Sequence, residues 1–193
     1  MIGEVFMIKN VIFDCGKVLA QYDETYIASF FTDNAEDAEL LGRVGMARKY
    51  WDRFDRGDLE EEEYLKLVKE ELPFRLHESV ERLSEGWIDH CDSIPGMAEL
   101  VMDVKKNCKV FLLSNFNKKL RQEAYKIPVL KEFDGLVISG EVKMVKPFGE
   151  IYQYLLATYG LKAEECIFID DNAANIAAGE TVGIKGYLFD GDV

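Results

Sequence analysis

Five short apolar runs, none alternating with polar residues, leave this 193-residue chain few architectures. They are Asn10-Val11-Ile12-Phe13, Val110-Phe111-Leu112-Leu113, Leu136-Val137-Ile138, Ile167-Phe168-Ile169 and Tyr187-Leu188-Phe189. A strand with one wet face alternates, so continuous β-branched and aromatic runs of this length read as strands covered on both faces. Segments of helical period separate them, at 97–107, 117–126, 148–159 and 172–182. Pro147 is expected in a first helical turn, and Gly160 and Gly183 as helix stops. Such alternation of strand and helix implies an α/β fold built on a doubly wound parallel sheet.

One interval is too long for this scheme. A strand–helix–strand unit needs about 30 residues, whereas residues 15–109 separate the first run from the second. The surplus reads as helical: Asp33 with Glu36 and Asp58 with Glu61 match capping boxes, and Gly57 suits a break between helices. The expectation is a small all-α cap at about 20–92, inserted after the first strand and folded as a lid over a core of 1–19 and 93–193. Extra helices packed at the side are the plain alternative.

Charge removes several function classes. Lys and Arg number 23 against 36 Asp and Glu, a formal net charge of −13. A nucleic-acid-binding surface or one drawn to anionic lipid would be basic. No apolar stretch approaches the roughly 20 residues that span a bilayer, and Met1–Phe6 has none of the parts of a secretory signal. Four widely spaced cysteines (Cys15, Cys91, Cys108, Cys166) suit reduced thiols. A cytoplasmic protein is expected, with Met7 an alternative start.

In an open parallel sheet, ligands bind beyond the carboxyl ends of the strands. The first run ends in Asp14-Cys15-Gly16, the second in Ser114-Asn115 and the fourth in Asp170-Asp171, while Lys146-Pro147 precedes a helix. Singly, Asp14 or Ser114 reads as a helix cap and Lys146 as a solvated charge. Together they place three carboxylates, a hydroxyl, an amide and a lysine in one crevice. Adjacent Asp170 and Asp171 repel each other, a cost that a divalent cation relieves. Oxygen ligands without a His/Cys set select Mg²⁺ over zinc. A carboxylate, a cation and a lysine are the parts needed to accept a phosphoryl group by in-line attack. Cysteine-phosphatase, P-loop, dinucleotide and serine-hydrolase motifs are all missing, and His90-Cys91 lacks the further ligands of a metal site.

These residues compose a pattern. Phe13-Asp14-Cys15-Gly16-Lys17-Val18-Leu19, Leu113-Ser114-Asn115, Lys146-Pro147 with Ile151-Tyr152, and Phe168-Ile169-Asp170-Asp171 with Asn175 occur in order along the chain. The sequence resembles the haloacid dehalogenase-like (HAD) superfamily, in the branch containing small sugar-phosphate phosphatases. The resemblance implies a Rossmann-like core with a helical cap, and hydrolysis of a small phosphate monoester through an aspartyl-phosphate on Asp14. It implies that Ser114 and Asn115 hold phosphate oxygens and that Lys146 bridges phosphate and nucleophile. Mg²⁺ would be bound by Asp14, the Gly16 carbonyl and Asp171. Asp170 would orient Lys146 or a metal-bound water, with Asn175 supporting the site from behind.

Two departures stand out. Most family phosphatases carry a second aspartate where this chain has Gly16; Asp23, a water or the substrate itself are the candidates to replace it as acid and base. Lys17 stands where glycine or asparagine is frequent, and either adds charge beside the phosphate or points to solvent. A 2-haloacid dehalogenase is the nearest rival, but its fourth motif typically lacks the acidic pair. A non-catalytic binding protein on the same scaffold is the second rival. In the cap, Arg48–Arg56 is an aromatic and cationic cluster. Trp51 and Phe54 share a helix face, as a buried stripe or as a surface that reads the substrate.

Overall fold

A computed structural model describes residues 7–193; Met1–Phe6, and with them the question of a start at Met7, lie outside the described residues. The order of elements is β1 (Asn10–Phe13), α1 (Glu24–Ser29), α2 (Ala35–Gly45), α3 (Arg48–Arg56), α4 (Glu61–Glu71), α5 (His77–Gly86), α6 (Met97–Lys105), β2 (Lys109–Ser114), α7 (Lys119–Glu123), β3 (Gly135–Ile138), α8 (Ser139–Val142), α9 (Gly149–Tyr159), β4 (Cys166–Asp170), α10 (Ala173–Thr181) and β5 (Lys185–Leu188). The strands form one parallel sheet in the order β3-β2-β1-β4-β5. β1 is buried at all four positions because it lies between two neighbours and under helices on both faces. Along it, Ile12 joins Phe111, Val137, Ile151 and Phe168 on one side. Val11 and Phe13 join a larger core on the other, which runs on into Trp51, Phe54 and Tyr64. That is the period-two alternation of a strand applied to two apolar faces.

Chain order turns back at β1: β2 and β3 lie to one side, β4 and β5 to the other. This is the switch point at which the carboxyl ends open a crevice. Helices α1–α5 all fall between β1 and β2. The chain leaves for them and returns along one short antiparallel seam. The Gln21 N–H donates to the Asp92 carbonyl at 2.7 Å and the Ile94 N–H to the Leu19 carbonyl at 3.0 Å. No helix among the described residues is long and apolar enough to cross a membrane.

Several local expectations need correction. The last run forms a strand two residues earlier than expected, and as the sheet's edge β5 is largely exposed rather than covered. The helix expected over 117–126 shortens to α7 followed by a 3₁₀ turn at Ala124–Lys126. Pro147 lies outside α9, behind a cis Lys146–Pro147 bond, and Phe148 occupies the N-cap. The capping boxes are also displaced. Asn34, not Asp33, caps α2 by accepting from the Asp37 N–H, and α4 starts after Glu60 without a side-chain cap. Asp58 instead returns its N–H to the Arg53 carbonyl at 2.9 Å, past Gly57 at φ 76°, which closes α3 in a left-handed turn.

Candidate active site

Asp14 leaves the end of β1 with its N–H still bonded to the Ile169 carbonyl at 2.9 Å, which fixes the carboxylate at the sheet edge. Its Oδ1 lies 2.7 Å from Lys146 Nζ, and the same ammonium lies 2.7 Å from Oδ2 of Asp170 at the end of β4. The Lys146 and Asp170 side chains are 1% and 0% exposed. Two carboxylates thus share one buried cation. Burial pushes the Asp14 carboxyl up to about 6; the Asp170 charge adds to that and Lys146 opposes it. For Lys146, burial works downward, yet Asp14 and Asp170 hold the ammonium above its ordinary value.

Asp170 is tied down in turn. Asn175 Nδ2 donates to both Asp170 oxygens at 3.0 Å, and the Asn172 N–H to Oδ1 at 2.8 Å. Asn175 lies in the first turn of α10, and its carbonyl accepts from the buried Tyr152 hydroxyl at 2.8 Å. Asp171 precedes that helix, so the two do not share a helix face, and Asn175 acts on Asp170. The Asn115 amide is committed as well: Oδ1 accepts from the Lys146 N–H at 2.8 Å and Nδ2 donates to the Lys146 carbonyl at 2.9 Å. Its side chain therefore clamps the lysine's main chain instead of facing the cavity as a free donor. Ser114, 1% exposed at the end of β2, lines the cavity beside it.

Asp14, Asp170 and Asp171 each offer an oxygen within 4.8 Å of the others. Asp170 spends its oxygens on Lys146, Asn172 and Asn175, which leaves Asp14 and Asp171 to face a cation. Part burial and the Asp170 charge raise the Asp171 carboxyl, and Lys17 opposes the rise. Lys17 itself is exposed at the cavity rim. Its φ of 58° is left-handed, the conformation that glycine and asparagine adopt most cheaply. Gly16 lies in the same tight turn, where the N–H groups of Val18, Leu19 and Ala20 converge on the Cys15 carbonyl. An all-oxygen, negatively charged set suits a hard divalent ion such as Mg²⁺.

The helical insert closes the other side of a cavity of about 590 Å³. The 48–56 cluster divides there. Arg48 and Trp51 line the cavity, Phe54 stacks on Tyr64 at 5.5 Å, and Arg53 turns outward to Glu63 at 3.3 Å. Asp23 does not enter the cavity; it caps α1, accepting from the Tyr26 N–H at 2.7 Å. His90 stacks on Phe30 at 3.9 Å between centroids, a packing role.

One lining residue escaped the sequence reading. Asp55 is 8% exposed, on the face of α3 that carries Trp51 four residues earlier. Burial pushes its carboxyl up to about 7, with Asp52 adding to the rise, Arg48 opposing it and Asp14 adding a little more. An acidic residue on the apolar stripe of an amphipathic helix was the available signal.

Comparison with known proteins adds to this geometry. Residues 8–183 match the sequence model of the haloacid dehalogenase-like hydrolases. A D-ribitol-5-phosphate phosphatase of Bacteroides thetaiotaomicron is 23% identical over 190 residues, covering 94% of this chain and 91% of that protein. The crystal structure of a HAD family enzyme from the same organism, in complex with magnesium and inorganic phosphate, superposes with a TM-score of 0.72 at 22% identity, covering 94% and 93% of the two chains. The L-2-haloacid dehalogenase of Xanthobacter autotrophicus with chloropropionic acid covalently bound shares the fold at a TM-score of 0.67 and 16% identity, covering 93% and 76%.

Proposed function

The chain belongs to the haloacid dehalogenase-like hydrolases, and on that footing we propose that it is a Mg²⁺-dependent phosphatase acting on a small sugar or polyol phosphate through an aspartyl-phosphate on Asp14. The observation that carries this reading is the buried Asp14–Lys146–Asp170 group with Asp171 beside it, at the carboxyl edge of the sheet. Asp14 supplies the nucleophilic oxygen. Lys146, fixed by Asp170 and by Asn115, neutralises charge on the phosphoryl oxygens as the bond to Asp14 forms. The Ser114 hydroxyl and the main chain at Asn115 hold a phosphoryl oxygen. Asp14, the Gly16 carbonyl and Asp171 would hold Mg²⁺, which would add positive charge beside the phosphoryl group.

A cavity of about 590 Å³ suits a metabolite rather than a folded phosphoprotein. Residues 20–92 act as a cap on a core of 1–19 and 93–193, and the paired crossing at Leu19–Gln21 and Asp92–Ile94 supports that division. Four free cysteines suit a reducing cytoplasm. The dehalogenase reading gives Asp171 no task, whereas a phosphoryl reaction uses it to hold the cation that offsets the charge of the ester.

The test is hydrolysis of p-nitrophenyl phosphate and of a sugar- and polyol-phosphate panel by wild type and Asp14→Asn, with Mg²⁺ or with EDTA. Turnover that needs both the metal and Asp14 is expected. Turnover indifferent to EDTA, or surviving in Asp14→Asn, overturns the reading.

A further inference from the structure

We infer that Asp55, carried on α3 of the helical insert, is the general acid and base of this phosphatase reaction and does the work of the carboxylate missing at Gly16; the inference rests on the function proposed above. Phosphoryl transfer from an alkyl ester leaves an oxygen that needs a proton, and the water that releases the enzyme must lose one. Gly16 can do neither. Packing does not impose the glycine, because a Cβ at residue 16 would meet nothing closer than Tyr22 Cβ at 4.0 Å.

The other titratable groups around the cavity are spoken for or unsuited. Asp14 is the nucleophile, Lys146 is locked between two carboxylates, and Asp171 faces the cation. Burial pushes the thiol of Cys91 up to about 12 and that of Cys15 higher still, and the Tyr22 phenol also rises well above its ordinary value. Asp52 pairs with Arg48 at 3.4 Å at the surface. Two carboxylates are left: Glu24, in the first turn of α1, is only half-buried, whereas Asp55 is buried and lines the same cavity as Asp14 and Ser114.

Its placement is fixed by the core. The Asp55 carbonyl accepts from the buried Ser139 hydroxyl at 2.5 Å, and Ser139 Oγ accepts from the Phe116 N–H at 2.9 Å. Two residues on, Gly57 lies so near the Gly140 carbonyl that an added Cβ would sit 2.9 Å from its oxygen. The end of α3 is thereby pinned to the loop that continues from Ser114 and Asn115, so Asp55 keeps its position relative to the phosphate end of the cavity. The groups whose charge or hydrogen bonding acts on it are Arg48 and Asp52 of its own helix, Asp14 and Tyr22 from the segment after β1, and the Asn117 N–H. With its carboxyl near 7, both protonation states are populated at neutral pH, which suits a group that first gives and then takes a proton.

In the first step an Asp14 oxygen bonds to phosphorus and the ester P–O bond breaks. The electron pair stays on the departing oxygen, which takes the Asp55 proton and leaves as the alcohol. In the second step water bonds to phosphorus, its proton passes to the Asp55 carboxylate, and the P–O bond to Asp14 breaks. Phosphate and both aspartates are returned.

A nitrophenolate leaves without a proton and an alkoxide does not, so the test compares leaving groups. In single-turnover kinetics, Asp55→Asn is expected to slow phosphorylation by the best alkyl ester of a polyol- and sugar-phosphate panel roughly 100-fold or more, and by p-nitrophenyl phosphate less than tenfold. Gly16→Asp added to Asp55→Asn is expected to restore at least tenfold on the alkyl ester. Equal losses on both esters with no recovery in the double variant make Asp55 structural and overturn the inference, as does a wild type that turns over p-nitrophenyl phosphate alone. If Asp14-dependent hydrolysis persists and Asp55→Asn is as fast as wild type, this inference fails while the phosphatase reading stands. No hydrolysis of any ester by the wild type overturns both.

Discussion

Asp55 costs the protein stability, and that cost has a sign that can be measured. Its carboxyl rises from 3.8 to about 7 on folding. The native state therefore binds more protons than the unfolded chain between those pH values, and stability falls as pH rises through them. Asparagine has the same shape and no charge, so Asp55→Asn should be stabilising by a few kcal/mol above pH 7 and neutral near pH 4. Denaturant titrations at the two pH values check this, and a destabilised variant at pH 8 would contradict the burial argument. Lys146 has the opposite character. Lys146→Met leaves Asp14 and Asp170 facing each other without a cation, and the loss at neutral pH should be about 3–5 kcal/mol. The positions of Asp14, Ser114, Lys146, Asp170 and Asp171 were legible because each follows an apolar run or precedes a helix, and the sheet converts that order into proximity. Asp55 was legible only as an acidic residue on an apolar stripe; its neighbours Ser139 and Asn117 are far off in sequence, and only tertiary packing brings them to it.

At the level of elements, the seam between α3 and the core depends on one buried hydroxyl. Ser139 Oγ meets the Phe116 N–H, the Phe116 carbonyl and the Asp55 carbonyl. Ser139→Ala strands the Phe116 N–H, so a loss of about 1–3 kcal/mol is expected, together with slower turnover as α3 loosens over the Ser114 loop. A variant that melts earlier with unchanged kcat would separate the seam from catalysis. The same helix supplies a contrast. Trp51 is 5% exposed against Trp87 and Tyr64, and its truncation to alanine should cost about 3–5 kcal/mol. Arg53→Ala should stay within about 0.5 kcal/mol, because its partner Glu63 is half exposed. Sheet strands were readable as elements because burial on both faces leaves a run with no polar interruption. β5 and the helix starts were not. An edge strand has no second neighbour to demand apolar residues, and whether Asp33 or Asn34 caps α2 depends on where the preceding turn releases the chain.

For the whole molecule the governing quantity is the net charge of −13. Any salt relieves self-repulsion in such a chain, so stabilisation by magnesium is informative only against sodium at matched ionic strength. Above that background, a bound ion stabilises by mass action. At about one hundred times its dissociation constant the gain is about 2.7 kcal/mol, or roughly 5–10 °C in Tm for a domain of this size. The increment should be larger at pH 8 than at pH 5, because Asp14, held up to about 6, must lose its proton to bind. Screening has no such dependence on one carboxylate, so Asp171→Asn, which keeps the fold and nearly all of the charge, separates the two effects. If the magnesium increment survives Asp171→Asn unchanged, the ion is acting on the acidic surface as a whole. If it vanishes there while the response to sodium persists, the cation is held where β1 and β4 end, and the negative charge of the remaining surface is only its background.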